Sequence, residues 1–266
     1  MKEKIISIIN QKGGVGKTTT VINLAAGLSL NNKKVLVIDL DPQGNATTGL
    51  GLSNIDQTSN SIYQVLIGTK KIDEVISKTN FSNLDIITSN VDLSGLEVET
   101  ADDGRRAYIL KEKLTAYLND SRASYDYVLI DCPPSLSLLT VMALVASHSL
   151  LVPLQTEFFA LEGISQLIKT IDRIKVGLNT ELTIRGILLT MYDKRNKLSG
   201  EVEIEARNYF KEKVYKNIVP RNVRLSEAPS HGMPVIFYDK KCPGSKSYIN
   251  FTEEFLAQEE SFETAA

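Results

Sequence analysis

The sequence predicts a doubly wound α/β fold, a mostly parallel sheet with helices on both faces. Two observations carry this expectation. Short apolar runs rich in β-branched residues alternate with longer amphipathic ones along the chain, the pattern of repeated βαβ units. The first apolar run, Ile5 to Ile9, passes through a glycine-rich stretch into a segment with Val21, Leu24, Ala25 and Leu28 at helical spacing. At 266 residues and 42% hydrophobic content the chain can bury a sizeable core. One domain over 1–266 is expected, with an acidic tail from about residue 253.

Each later element has its own warrant. Strands are expected at Val35–Ile38, Leu84–Thr88, Asp126–Asp131, Ser149–Leu154, Ile184–Thr190, Val214–Val219 and Pro234–Tyr238, all short apolar runs. Helices are expected near Arg105–Asn119, Ala160–Val176, Ser199–Glu212 and Lys246–Gln258. In the second of these, Leu161, Ile164, Ile168, Ile171 and Ile174 recur every three or four residues and face the sheet. The apolar region Leu138–Leu154 is broken by Thr140, Ser147, His148, Ser149 and Pro153, so it reads as a helix followed by a buried strand, and no membrane span is expected. Ala46–Asn60 and Ser89–Gly104 lack periodicity and read as loops on the rim of a site.

The stretch Asn10-Gln11-Lys12-Gly13-Gly14-Val15-Gly16-Lys17-Thr18-Thr19 carries the chemistry. Three glycines let backbone N–H groups turn inward at the positive end of a helix, a seat for a phosphate chain. Lys17 is placed to reach the β- and γ-phosphates, and the Thr18 hydroxyl to ligate Mg²⁺. The general pattern asks for glycine four residues before Gly16, where Gln11 stands, and a second lysine, Lys12, follows it.

Open parallel sheets bind ligands beyond the carboxyl ends of their strands, so the acids there are the ones to weigh: Asp39, Asp41 and Asp131. Asp131 ends an apolar run and suits a carboxylate organising Mg²⁺ and its waters; capping the next helix is its alternative role. Asp41, just before Pro42, is expected to stay out of the sheet and to orient the attacking water in line with a γ-phosphate, or only to hold its turn. Asp39 holds the strand end or a water of the metal.

Lys12 to Thr18 resembles the deviant phosphate loop of the ParA/MinD group of ATPases. Asp39-Leu40-Asp41-Pro42-Gln43-Gly44-Asn45-Ala46-Thr47 and Asp131-Cys132-Pro133-Pro134-Ser135 are similar to that group's second and third motifs. Phe159-Ala160-Leu161-Glu162-Gly163 and the stretch Pro220 to Gly232 resemble its chromosomal branch, usually called Soj. The resemblance covers almost the full length. It implies a P-loop ATPase that binds ATP and Mg²⁺ and dimerises in the ATP state. It implies binding to duplex DNA without sequence preference, and release when a ParB-type centromere-binding partner stimulates hydrolysis. By the same resemblance the nucleotide is held by Lys12, Gly13, Gly14, Val15, Gly16, Lys17, Thr18 and Thr19, with Pro220 and Asn222 in the adenine pocket. Asp41 becomes the hydrolytic carboxylate and Lys12 a lysine reaching the partner subunit's nucleotide. Gly13 then has to admit the partner's backbone. Arg195 and Arg224 are implied to contact DNA, and the location implied is cytoplasmic and nucleoid-associated.

Charge bears on partners independently. Net charge is −2, yet Lys194 to Arg224 holds nine Lys/Arg against four Glu, a local basic segment that suits salt-sensitive phosphate contact without base reading. For Lys211, Lys213 and Lys216 a solvated helix face is an equal reading. Two cysteines, Cys132 and Cys242, make no disulfide framework and fit a reducing compartment. Neither they nor His148 and His231 stand at metal-ligand spacing. A MinD-like membrane ATPase is one competing reading. Phe251–Ala266 carries Glu253, Glu254, Glu259, Glu260 and Glu263 and no Lys or Arg, which an anionic lipid surface would repel. A nucleotide-gated scaffold for a metal cofactor or other cargo is the other, and the Cys-x-x-Cys pair such carriers often use is missing.

Overall fold

The computed structural model describes residues 4–52, 59–120 and 124–264. In chain order the strands are β1 (Lys4–Ile8), β2 (Val35–Asp39), β3 (Ile76–Lys78), β4 (Leu84–Ile87), β5 (Tyr127–Asp131), β6 (Ser149–Gln155) and β7 (Thr183–Thr190). The helices are α1 (Lys17–Leu30), α2 (Asn45–Gly49), α3 (Ile62–Leu66), α4 (Ile72–Val75), α5 (Leu96–Glu99), α6 (Ile109–Leu118), α7 (Leu138–Ala146), α8 (Ala160–Gly177), α9 (Lys197–Phe210), α10 (Val223–Glu227), α11 (Val235–Tyr238) and α12 (Pro243–Thr264).

The strands form one sheet in the order β3-β4-β2-β5-β1-β6-β7, parallel except for the pairing of β3 with β4. Alternation along each strand feeds two cores. Leu36 and Ile38 of β2, with Val128 and Ile130 of β5, pack under α6, α7 and α8. Val35 and Val37, with Ile6, Ile8 and Leu129, pack under α1 and α12. Both faces of these strands are buried, so they read as continuous apolar runs rather than as alternating ones.

The α1 stripe Val21, Leu24, Ala25 and Leu28 is fully buried. In α8, Ile164, Ile171 and Ile174 are buried and Ile168 packs against the core; the Leu161 side chain lies outside the described residues. The expected pairing of a helix over Leu138 with a buried strand to Leu154 is realised as α7 and β6. No helix is long and apolar enough to cross a membrane among the described residues.

Four expectations are corrected. Pro234–Tyr238 is no strand: α11 begins after Pro234, and the backbone N–H of Val235 donates to Asn23 Oδ1 on α1 (2.8 Å), so this apolar turn is docked on a helix. Val214–Val219 runs beside β7, where the Tyr215 and Val219 N–H groups donate to the Ile187 and Leu189 carbonyls (3.0 and 2.9 Å), but only Val214 forms a bridge, to Ile187. Its ladder is interrupted because the N–H groups of Lys216 and Asn217 donate to the Glu254 carboxylate of α12 (2.7 and 2.9 Å). The loop expectations are only partly met, since α2 occupies Asn45–Gly49, while a 3₁₀ turn over Val91–Gly95 and α5 bury Leu93 and Leu96; residues 53–58 lie outside the described residues. The expected acidic tail is the continuation of α12. There Glu259 is buried against Arg185 of β7 and Lys4 of β1, so it is a structural charge; the Glu260 and Glu263 side chains lie outside the described residues.

Candidate active site

The strand order brings the three motifs to one edge. β5 lies between β1 and β2, and its register sets Asp131 opposite both Ile8, where the glycine loop departs, and Asp39. Asp39 and Asp131 are therefore two fully buried carboxylates directly opposite each other on neighbouring strands, an arrangement that costs stability unless a cation joins them.

The loop is held from behind. Asn10 donates to the Pro153 carbonyl (2.8 Å) and accepts from the Lys12 N–H (3.0 Å), and the Thr190 hydroxyl donates to the Val15 carbonyl (2.8 Å). Gly14 and Gly16 sit at φ +75° and +90°, where a side chain would strain the backbone, so the turn into α1 requires them. Thr18 and Thr19 occupy the first turn of α1, and Lys17 opens it. The Lys17 ammonium is buried and donates to the Lys12 carbonyl (3.0 Å) at the loop mouth. Burial lowers its pKa, while Asp131, Cys132 and Asp41 pull it back up.

The carboxylates behave differently from one another. Burial, the facing charge of Asp39 and the charge of Asp41 push Asp131 well above the usual carboxylate range; Thr18 and Lys17 oppose the rise. Both its oxygens are buried, and neither has a hydrogen-bond partner within ordinary limits among the described residues. Asp39, by contrast, is satisfied: Oδ2 accepts from the Thr47 N–H (2.8 Å) and hydroxyl (2.7 Å), and Oδ1 from the Asp41 N–H (3.3 Å). Burial nevertheless raises it to about 6. Its hydrogen bonds favour the strand-end role over direct metal ligation. Asp41 stays out of the sheet as expected, two residues past the end of β2, and is buried at the site, with Oδ1 accepting from the Gln43 N–H (3.0 Å). An orphaned, charge-raised Asp131 beside Thr18 suits a divalent cation that takes few protein ligands and keeps its waters.

Sequence reasoning missed three supporting residues. Glu157, two residues past the end of β6, forms an ion pair with Lys12. Applying the carboxyl-end rule to β6 as it was to β2 and β5 would have found it. Ser89 donates its hydroxyl to the Asp41 carbonyl (2.6 Å) and its N–H to Thr47 Oγ1 (3.1 Å), so the stretch after β4 does touch the site. Thr47 stood inside the second motif without a role assigned to it. Cys132 is buried, its thiol pushed up to about 12 by burial and the Asp131 charge, which makes it inert. His148 accepts from the Ile5 N–H (3.1 Å) and His231 stacks on Tyr238, both structural contacts.

The remaining sequence-singled residues lie farther along. Pro220 bridges to Tyr192 beyond β7, and the Asn222 side chain accepts from the Arg224 N–H (3.1 Å), capping α10. Gly232 abuts the turn after α2: a Cβ there would lie 2.7 Å from Gly51 Cα, which ties the Pro220–Gly232 stretch to the second motif. Arg195 is held by Asp193, and Arg224 by Glu227 and Asp239; all are on the surface.

Fold and site together define a P-loop ATPase. A family model described as an AAA domain matches residues 3–184. The chromosome partitioning protein ParA of Caulobacter vibrioides is 49% identical over 256 residues, covering 96% of this chain and 95% of the relative. The sporulation initiation inhibitor protein Soj of Bacillus subtilis is 48% identical over 254 residues, covering 96% and 98%. Among solved structures, a cobyrinic acid a,c-diamide synthase from Mycobacterium smegmatis with bound ATP analogue and magnesium is 33% identical at a TM-score of 0.83, covering 97% of this chain and 96% of that one. The cell division ATPase MinD of Pyrococcus furiosus is 26% identical at a TM-score of 0.80, covering 97% and 100%. The chain belongs to the ParA/Soj family of chromosome-partitioning ATPases.

Proposed function

We propose that this protein is an ATP-dependent dimer that holds duplex DNA without sequence preference and lets go on hydrolysis stimulated by a ParB-type partner. The observation that carries the reading is the buried pair Asp39–Asp131 beneath a loop that bears both Lys12 and Lys17. The backbone N–H groups from Gly13 to Thr19 cradle the phosphate chain of ATP, and Lys17 leaves the Lys12 carbonyl to meet it. Thr18 and Asp131 would hold Mg²⁺, which would supply charge neutralisation at the phosphates, while Asp39 fixes the turn that carries Asp41. Asp41 orients the attacking water. Lys12 exchanges Glu157 for the phosphates bound by the partner subunit, and Pro220 and Asn222 flank the adenine.

Relatives at 48–49% identity support this reading over a MinD-like one, whose neighbour stands at 26%; nothing observed favours the scaffold. The deciding experiment is ATP turnover measured alone, with DNA, with a ParB-derived peptide and with both. Strong joint stimulation is expected, and none would sink the partition reading. A bulky residue at Gly13, where a Cβ meets only Pro134 at 3.8 Å within the subunit, should spare ATP binding and abolish ATP-dependent dimers in sizing. Dimers of normal size would remove the face-to-face arrangement.

A further inference from the structure

A cleft of about 850 Å³ opens between the turn after β7, the segment leading to Arg221 and the first turns of α12. Four cations line it: Lys194, Arg195, Arg221 and Lys246. Its two acids are already engaged. Asp193 holds Arg195 through both oxygens (3.0 and 2.9 Å) and is kept low, at about 2, by that guanidinium; Glu203 holds Arg207 (2.9 Å). Lys194, Arg221 and Lys246 are exposed, and no side-chain hydrogen bond or ion pair ties any of them down among the described residues.

Of the neutral side chains lining the cleft, Ser247 and Asn217 are committed and the Asn250 amide is exposed at the rim. The Ser247 hydroxyl donates to the Gly244 carbonyl (2.8 Å), and the Asn217 amide donates to Glu254 Oε2 (2.7 Å). The free donors of this surface are thus cationic except for the Asn250 amide, and the cations come from three separate chain segments around an open rim. Cations spread along a rim follow a phosphate backbone, whereas reading base edges needs free amide or hydroxyl groups aimed inward.

We propose that Lys194, Arg221 and Lys246 form a backbone-phosphate track for duplex DNA, and that Arg195 joins it only by giving up Asp193. The proposal rests on the DNA-binding reading above and adds to it residues which the family resemblance did not single out. It also places the DNA contact next to the nucleotide. Arg221 lies between Pro220 and Asn222, and its N–H donates to the Tyr192 carbonyl (3.0 Å), so a base held by those two residues fixes the arm that carries the guanidinium.

The test is duplex binding by the full chain with ATP and Mg²⁺ over a salt series, on two duplexes of unrelated sequence. The double variant Arg221→Gln/Lys246→Gln should bind about tenfold or more weakly to both, with its log–log salt slope shallower by about one for each phosphate no longer neutralised. The charge-keeping pair Arg221→Lys/Lys246→Arg should retain affinity and slope. Wild-type affinity and slope in the neutral double variant, with ATP-dependent DNA binding intact in the parent, would overturn the track and leave the proposed function standing. Equal loss in the charge-keeping pair would also overturn it, since shape rather than charge would then matter. A parent that ignores ATP when binding DNA would overturn the broader reading as well.

Discussion

The carboxyl ends of β1, β2 and β5 and the surface from Lys194 to Arg224 both carry dense charge, but they hold it in opposite ways. At the strand ends Asp39 and Asp131 face each other in the dry interior, and neither Asp131 oxygen has a hydrogen-bond partner within ordinary limits among the described residues. On the surface Arg195 and Arg224 each have a carboxylate within reach, and water besides. An unpaired buried charge is a standing cost that a ligand removes on binding. An exposed pair is nearly neutral in energy and exchanges partners readily. The first arrangement suits a tight, stoichiometric nucleotide; the second suits a salt-sensitive polymer that must be released.

Breaking a buried pair should therefore hurt far more than breaking an exposed one. The sharpest case is Arg185, which joins Glu259, donates to the Phe255 carbonyl (3.1 Å) and lies 3.9 Å over the Phe255 ring, clamping α12 to the sheet. Arg185→Ala should cost about 3 kcal/mol in denaturant unfolding, because the buried Glu259 then keeps only the partly exposed Lys4 as its partner and the packing on Phe255 is lost. A loss below about 1 kcal/mol would place this pair with the exposed ones.

Next in size is Asp41→Ala. If Asp41 positions the attacking water as proposed, its loss should slow turnover by about 100-fold, roughly 2.7 kcal/mol, and ATP-bound dimers should accumulate on DNA. Normal turnover would move the catalytic role elsewhere.

A smaller effect distinguishes the strand ends by pH. Asp39 and Asp131 have folded-state pKa values raised by burial, so the folded form binds more protons than the unfolded one. Their contribution is most favourable below the ordinary carboxylate value near 3.8 and is lost as pH rises through about 6, the value for Asp39. Asp131→Asn, which removes one of the facing charges, should gain stability relative to the parent across that rise in nucleotide-free, metal-free protein. Parallel thermal-midpoint curves from about pH 4.5 to 7 would mean the two charges do not oppose each other.

Smallest of all, Arg195→Ala should leave the unfolding midpoint unchanged at low and high salt, since Arg195 itself is exposed. A clear fall would give that surface pair a structural role and blur the contrast with the strand ends.

Much of the site was legible because its determinants are local. The glycine loop is a contiguous stretch whose backbone needs Gly14 and Gly16, and Asp39 and Asp131 announce themselves by ending apolar runs. The misses share a cause. Val214–Val219 has strand composition, but Glu254, far along the chain on α12, takes the N–H groups a ladder would use. Pro234–Tyr238 is apolar enough for a strand, yet Asn23 claims its first donor. Glu157 became visible as a partner of Lys12 only once the end of β6 was known to lie beside the loop, because β6 is the neighbour of β1.

What the sequence determined by itself is the set of elements whose signals fit within a turn or a strand: the loop, the α1 and α8 faces, the acids at strand ends and the family they resemble. Side-chain periodicity reports which face of an element is buried and is silent on which strand lies next to it. Only the tertiary structure inserted β5 between β1 and β2, setting Asp131 against Asp39 beside the loop, and only it gathered Lys194, Arg221 and Lys246 from three segments into one cleft. Strand order and surface clefts arise from long-range packing of both sheet faces, for which no local spacing rule exists.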